Sequence, residues 1–420
     1  MTAKNAFYSQ SGGVTAVINA TACGVIETAK LYPEKIAKVL AGKNGIMAAL
    51  HEELIDTSLE STSNISALLH TPGGAFGSCR YKLKDFSSSR REYNRIIEVF
   101  KAHNIGYFFY NGGGDSQDTA YKISQVSQEL DFPITCIGIP KTIDNDLPFT
   151  DTCPGFGSVA KYVALSILEA SLDVASMASS STQVFILEVM GRHAGWIAAA
   201  AGLAQKQAGD PPQIILFPEI TFNQTAFCEQ VKTSVAKYGF CSIVVSEGVR
   251  DHTGKFLADA GLKDAFGHSQ LGGVAAIIAN IVKQNLNFKY HYAIADYLQR
   301  SARHIASATD VEQAYALGKA AIEFAIQGKN AIMPIIERKS SVPYIWQIGH
   351  VALSDVANVE KSMPKNFITA DGFGITQQCR EYLLPLIQGE AYPPYDNGLP
   401  KYVKLAKSIL TPILPPYIHD

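Results

Sequence analysis

Ile134-Thr135-Cys136-Ile137-Gly138-Ile139 is a short, almost unbroken apolar run, and it leads straight into Pro140-Lys141-Thr142-Ile143-Asp144-Asn145-Asp146. A run of this length fits a parallel strand buried on both faces. Ligands of parallel α/β sheets bind beyond the carboxyl ends of the strands, which is where this turn lies. Two carboxylates two residues apart beside a lysine suit phosphoryl transfer. One acid accepts a hydroxyl proton, the other helps hold a magnesium ion, and the ammonium offsets phosphate charge. An Asx-rich turn with a solvated lysine has the same residue pattern, so the neighbouring turns must decide between the two.

The arrangement recurs on either side. Ala6–Tyr8, Gly106–Tyr110, Val184–Val189, Ile214–Phe217 and Ile243–Val245 read as further buried strands, and Gln117–Leu130, Val159–Ala175 and Gly272–Asn285 read as helices between them. Strand–turn–helix repetition predicts an α/β protein of the doubly wound type. Two early strands end in glycine turns, Ser11-Gly12-Gly13 and Asn111-Gly112-Gly113-Gly114-Asp115-Ser116, each opening a helix. Such turns let backbone N–H groups approach a phosphate at a helix N-terminus, although a lone Gly-Gly serves equally as a tight turn. Later turns supply Met190-Gly191-Arg192-His193, Ser246-Glu247-Gly248 and Tyr297-Leu298-Gln299-Arg300. An arginine at a strand end stabilises charge spread over a transferring phosphoryl group, and a glutamate there accepts sugar hydroxyls. No G-x-x-x-x-G-K-[ST] sequence occurs, so a P-loop is excluded.

Composition narrows the partners. The 420 residues are 47% hydrophobic and 18% charged with a net charge of -2, which excludes a disordered chain and gives no sign of a nucleic-acid partner. Cys23, Cys79, Cys136, Cys153, Cys228, Cys241 and Cys379 are odd in number and scattered, without a C-x-x-C pair, so neither a disulfide framework nor a zinc site is expected. The most apolar stretch, Ala194–Leu203, is far shorter than a membrane span, and no signal-peptide run opens the chain. These features predict a cytoplasmic protein with no membrane association. Residues from Ser340 to Asp420 are rich in proline and tyrosine and carry no recognisable chemistry.

Taken in order, the turns resemble the phosphofructokinase family over roughly residues 5–330. The resemblance rests on Ser11-Gly12-Gly13, Gly77-Ser78-Cys79-Arg80, Gly112–Ser116, Lys141–Asp146, Met190-Gly191-Arg192, Ser246-Glu247-Gly248 and Tyr297–Arg300. It implies two doubly wound α/β domains with mostly parallel sheets plus a C-terminal extension. Residues 1–156 with about 300–350 would bind the phosphoryl donor and magnesium, 157–299 the sugar phosphate, and 351–420 would pack on the body. It also implies roles. Asp144 would be the base for the sugar 1-hydroxyl, with Thr142 and Ile143 beside it. Met190, Gly191 and Arg192 would line the fructose 6-phosphate site, with Glu247, Tyr297 and Arg300 completing it. Gly13 and Arg80 would contact the donor.

Two positions bear on the donor. Family members that use ATP resemble this sequence but carry glycine where Asp115 and Lys141 stand. A carboxylate at 115 would repel the α-phosphate of ATP by about 4 kcal/mol at 4 Å and an effective dielectric near 20. Lys141 would instead hold the free end of pyrophosphate. The pair therefore points to pyrophosphate as donor, and the resemblance implies reversible, Mg²⁺-dependent transfer to D-fructose 6-phosphate by a homodimer or homotetramer. An ATP-dependent enzyme and a non-catalytic regulatory subunit are the alternatives.

Three departures stand out. The aspartate usual before position 115 is Gly114, so Asp115, or else Asp144 or Asp146, would take the metal. Arginines that relatives place on the sugar phosphate are replaced by Gln183 and His291. Lys289 or Arg303 would have to compensate.

Overall fold

The computed structural model describes residues 3–263 and 269–418. Its strands are β1 (Lys4–Gln10), β2 (Ile36–Gly42), β3 (Leu54–Asp56), β4 (Ile105–Gly112), β5 (Thr135–Pro140), β6 (Val184–Val189), β7 (Ile214–Leu216), β8 (Cys241–Ser246), β9 (Asp259–Lys263), β10 (Ser269–Leu271), β11 (Tyr290–Ile294), β12 (Ile332–Ser341) and β13 (Tyr344–Ala352), with a small tail pair beyond. Seven of them form one sheet in the order β13-β12-β5-β4-β1-β2-β3, and four form a second in the order β11-β6-β8-β7. The second sheet is parallel throughout, and the first is parallel except at its edges, where β3 pairs with β2 and β13 with β12 antiparallel.

The continuous apolar runs become the central strands because both faces are covered. Phe108 and Tyr110 of β4 point to one face with Phe7 and Phe100, while Phe109 joins Ile137 and Ile139 on the other. Burying an aromatic side chain of this kind stabilises by roughly 1.5–3 kcal/mol before entropy is charged. The expected strands are all present: β1, β4 and β8 are longer than the sequence runs, β6 matches its run, β5 is shifted by one residue and β7 is one residue shorter. The expected helices appear as Gly114–Glu129, Phe156–Met177 and Val274–Leu286. The antiparallel hairpin of β12 and β13 was not expected. Its second strand alternates half-buried and exposed residues, so it offers no continuous apolar run to read.

The 22-residue helix Phe156–Met177 follows Gly155, whose φ of 107° admits little but glycine, and a Cβ there would press on Thr15. Its first turn is capped from a distance. Buried Asp310 accepts the Gly155 and Ser158 N–H groups, each at 2.9 Å. A carboxylate at a helix N-terminus satisfies orphan donors and complements the helix dipole.

The proline-rich C-terminal stretch is integral to the core. Met363, Phe367, Ile368, Cys379, Leu383 and Leu386 pack into one apolar cluster with Phe156, Trp196 and the buried alanines of the helix Trp196–Ala201. Farther on, Glu52 holds the tail, accepting the Ile413 N–H at 2.6 Å and the Leu414 N–H at 3.0 Å while pairing with His103 at 2.7 Å. No described helix is long and apolar enough to cross a membrane.

Candidate active site

The carboxyl ends of β1, β4, β5, β6 and β8 open into one cavity of about 860 Å³ between the two sheets. The residues expected to act on substrate or metal line it, except Gly191: Gly13, Arg80, Asp115, Lys141, Thr142, Ile143, Asp144, Asp146, Met190, Arg192, Glu247, Tyr297 and Arg300. Gly191 sits just behind the wall. With φ of 129° it donates its N–H to Glu247 Oε1 at 3.4 Å and accepts Ser246 Oγ at 2.5 Å. That reversal aims Met190 and Arg192 into the space.

One end of the cavity is cationic. Lys141 is only 3% exposed, and its Nζ donates to the Gly13 carbonyl at 2.7 Å. Burial, then the charges of Arg300 and Arg80, depress its ammonium from 10.5 to about 8. Arg300 packs over Gly13 so closely that a Cβ at 13 would lie 2.5 Å from its Nη1, with Arg80 Nη2 at 3.7 Å. The Arg300 guanidinium also lies 3.8 Å from the Tyr297 ring centroid. Arg300, expected on the sugar, thus stands at the Gly13–Lys141 end. Three cations around two glycines form a receptacle for a polyanion.

The carboxylates sit in the middle. Burial, then Asp146 and Glu247, push the Asp144 carboxyl up, and Arg192 and Lys141 oppose this only in part. Asp146 is likewise raised by burial, and its Oδ1 is buried without a hydrogen-bond partner. The Asp144 N–H donates to Thr142 Oγ1 at 3.1 Å, tightening the turn. Asn145 between the two acids is fully buried with φ of 53°, a conformation asparagine tolerates and most residues do not. Arg192 Nε is buried without a partner.

Asp115 lies in the cavity wall at the start of the helix Gly114–Glu129 and is ion-paired with Lys82, 2.5 Å away. The pair is partly exposed, and Lys82 offsets much of the repulsion that Asp115 alone would exert on an α-phosphate. A Cβ at Gly114 would meet nothing within 4 Å, so the missing aspartate leaves open space.

The replaced arginines lie away from this cavity. Gln183 precedes β6 and His291 is the second residue of β11, both near the ends opposite the carboxyl edge. Neither proposed substitute reaches the site. Lys289 Nζ donates to Ser181 Oγ at 3.0 Å. Arg303, 1% exposed, spends its guanidinium on the carbonyls of Leu69 and Ala391.

Several lining residues went unread. Glu188 accepts the Gly273 and Ala275 N–H groups at 3.0 and 2.8 Å and fixes the loop entering the helix Val274–Leu286. Gln299 Oε1 accepts the Met190 N–H at 3.3 Å. Glu360, Lys361 and Ser362 reach the cavity from the C-terminal stretch, whose sequence carries no recognisable chemistry. Glu188 and Gln299 adjoin turns already noted, whereas nothing in the sequence around Lys361 signals a site.

A family model described as phosphofructokinase matches residues 5–325. The pyrophosphate–fructose 6-phosphate 1-phosphotransferase of Halomonas elongata is 62% identical over 99% of this chain and 100% of its own. The one from Methylococcus capsulatus is 62% identical over 96% of each. Among solved structures, a pyrophosphate-dependent phosphofructokinase from Marinobacter aquaeolei superimposes with a TM-score of 0.92 at 62% identity, covering 99% of this chain and all of that one. The Pichia pastoris phosphofructokinase, at 20% identity and a TM-score of 0.67, shares the fold.

Proposed function

The chain belongs to the phosphofructokinase family, and from that premise we propose that it transfers a phosphoryl group reversibly from inorganic pyrophosphate to the 1-hydroxyl of D-fructose 6-phosphate. The products would be fructose 1,6-bisphosphate and phosphate, a step open to both glycolysis and gluconeogenesis. The observation that carries the reading is the buried Lys141 ammonium beside Gly12 and Gly13, with Arg80 and Arg300 around it. That cluster matches a compact diphosphate, and the full-length relatives named for pyrophosphate agree with it.

In this reading Lys141, Arg80, Arg300 and the glycine turn hold the diphosphate. Asp144 is placed to take the proton from the 1-hydroxyl as that oxygen attacks phosphorus. Arg192 faces the charge that builds on the transferring group. Positioning and electrostatic stabilisation supply most of the rate in such reactions. Met190, Glu247 and Tyr297 enclose the sugar, with Thr142, Ile143 and Gly191 shaping the wall.

The residues fit a divalent cation. Asp146 Oδ1 is buried and unpartnered, and both Asp144 and Asp146 sit with their carboxyls raised. Lys82 already compensates Asp115 and Asp144 is the base, so Asp146 is the preferred holder of Mg²⁺. When bound, the cation neutralises charge on the phosphoryl oxygens.

Strand β11 lies at the edge of its sheet with Tyr292 and Ile294 exposed, and Tyr297 and Leu298 follow it. An open edge with an apolar rim favours a homo-oligomer. All seven cysteines are unpaired, in keeping with a reducing cytoplasm. ³¹P NMR of the protein with fructose 6-phosphate, pyrophosphate and Mg²⁺ tests the reading. The bisphosphate and free phosphate should appear together, and the reaction should run backwards from them. Absence of turnover in a folded preparation would sink it.

A further inference from the structure

The C-terminal stretch packs against the Asp144-Asn145-Asp146 turn and takes hold of its middle residue. Lys361 Nζ donates to Asn145 Oδ1 at 3.2 Å and to the carbonyls of Thr150 and Asp151 at 3.0 and 3.1 Å. Its backbone N–H donates to the Asp146 carbonyl at 2.6 Å. The other side of the Asn145 amide is held too, since Nδ2 donates to the Tyr382 hydroxyl at 2.9 Å and that hydroxyl donates to the Asp151 carbonyl at 2.5 Å. Asn145 Oδ1 also accepts the Cys153 N–H at 3.1 Å. Residue 145 therefore has its left-handed backbone pinned at both ends of its side chain, and two of the pins come from beyond residue 352.

We infer that Lys361 is a positioning residue of this enzyme: its ammonium locks Asn145 and thereby sets the direction in which the flanking Asp144 and Asp146 carboxylates enter the cavity. The inference rests on the roles proposed above for those two acids. The geometry favours a locking role over a substrate contact, because all three Nζ donors already have acceptors on the turn and on residues 150–151. It favours a function beyond stability as well. A lysine head lying 5.4 Å from the Trp196 ring centroid, in surroundings that depress its charged form chiefly by burial, is costly to bury, and what it returns is its three bonds to the turn and to residues 150–151. Neighbouring Glu360 pairs with His193 at 3.1 Å, so two consecutive residues of the stretch touch the base turn and the Met190–His193 loop. Errors of about 1 Å in the placement of a reacting group cost on the order of 100-fold in rate.

The test compares Lys361→Met and Lys361→Arg with the unaltered protein, using pyrophosphate and fructose 6-phosphate kinetics and hydrogen exchange of the unliganded protein over residues 143–155. The Met variant should lose roughly 10- to 100-fold in kcat, with either KM changed less than about threefold, the expected pattern when a reacting group is misplaced and binding is not. Arginine should restore part of the loss. Amides from 143 to 155 should exchange faster in the Met variant. A Met variant with unaltered kcat, or with unaltered exchange over this segment, overturns the inference. Inactivity of the unaltered protein would count against the proposed reaction instead, and the exchange comparison would still decide whether Lys361 holds the turn.

Discussion

Replacing Lys141 with methionine should separate catalysis from stability in opposite directions. The side chain is nearly fully buried, and its ammonium is depressed from 10.5 to about 8 by burial and by the charges of Arg300 and Arg80. That drop corresponds to roughly 3 kcal/mol by which the folded, ligand-free site disfavours the charge. For a lysine depressed on folding, the penalty is full below about pH 8 and fades as pH rises towards 10.5. At pH 7, methionine removes it, and the variant should be more stable by about 1–3 kcal/mol, allowing for the lost bond to the Gly13 carbonyl. The same change deletes a charge-assisted contact to the donor worth about 1.5–3 kcal/mol, so kcat/KM for pyrophosphate should fall roughly 10- to 100-fold. Urea melts at pH 7 and pH 10, with steady-state kinetics at pH 7, read both effects. The stability gain should shrink at pH 10. A variant that is less stable at pH 7, or that keeps full activity with pyrophosphate, refutes the reasoning.

Gly13→Ala places a Cβ 2.5 Å from Arg300 Nη1, the mobile end of a long side chain, so the fold should survive while kcat/KM for pyrophosphate falls about tenfold; thermal melting and kinetics measure the two. Asp310→Ala leaves the Gly155 and Ser158 N–H groups without their acceptor and should cost about 2 kcal/mol in urea melts. Burial would raise the Glu52 carboxyl, yet the Ile413 N–H, His103 and the Leu414 N–H together hold it below its usual range. A carboxylate depressed on folding stabilises above its unfolded value of about 4.5 and loses that contribution as pH falls through the folded one. Glu52→Gln should therefore destabilise at pH 7, with faster proteolysis of the tail, and the difference from the parent should narrow below pH 4.

The parts of the fold that could be read were those where one local pattern carries the answer. Val184–Val189 is apolar at nearly every position because both faces of its sheet are covered, and its bounds in the structure match the sequence run. Lys141, Asp144 and Arg192 were legible because charged residues directly after such strands have few structural reasons to be there. β13 was hidden by its half-exposed alternation, and β11 by an edge position that leaves most of its residues in solvent. Lys361 was hidden for a different reason. Its acceptors lie 210 to 216 residues away in sequence, and no spacing rule links a lysine in a proline-rich stretch to an asparagine in a strand-end turn. Asp115 was found but its partner was not. Lys82 sits in a loop with no periodic pattern, so the ion pair that tempers the charge argument appears only in three dimensions.

The central claim is that the cationic end of the cavity, built on Lys141, accepts a bare diphosphate in preference to a nucleotide. The most direct measurement is kcat/KM of the unaltered protein for pyrophosphate and for ATP, each with saturating fructose 6-phosphate and Mg²⁺. Pyrophosphate should be favoured by at least about 10-fold, the ratio expected from the lower end, about 1.5 kcal/mol, of a charge-assisted contact to Lys141. Equal use of the two donors, or preference for ATP, would contradict the account.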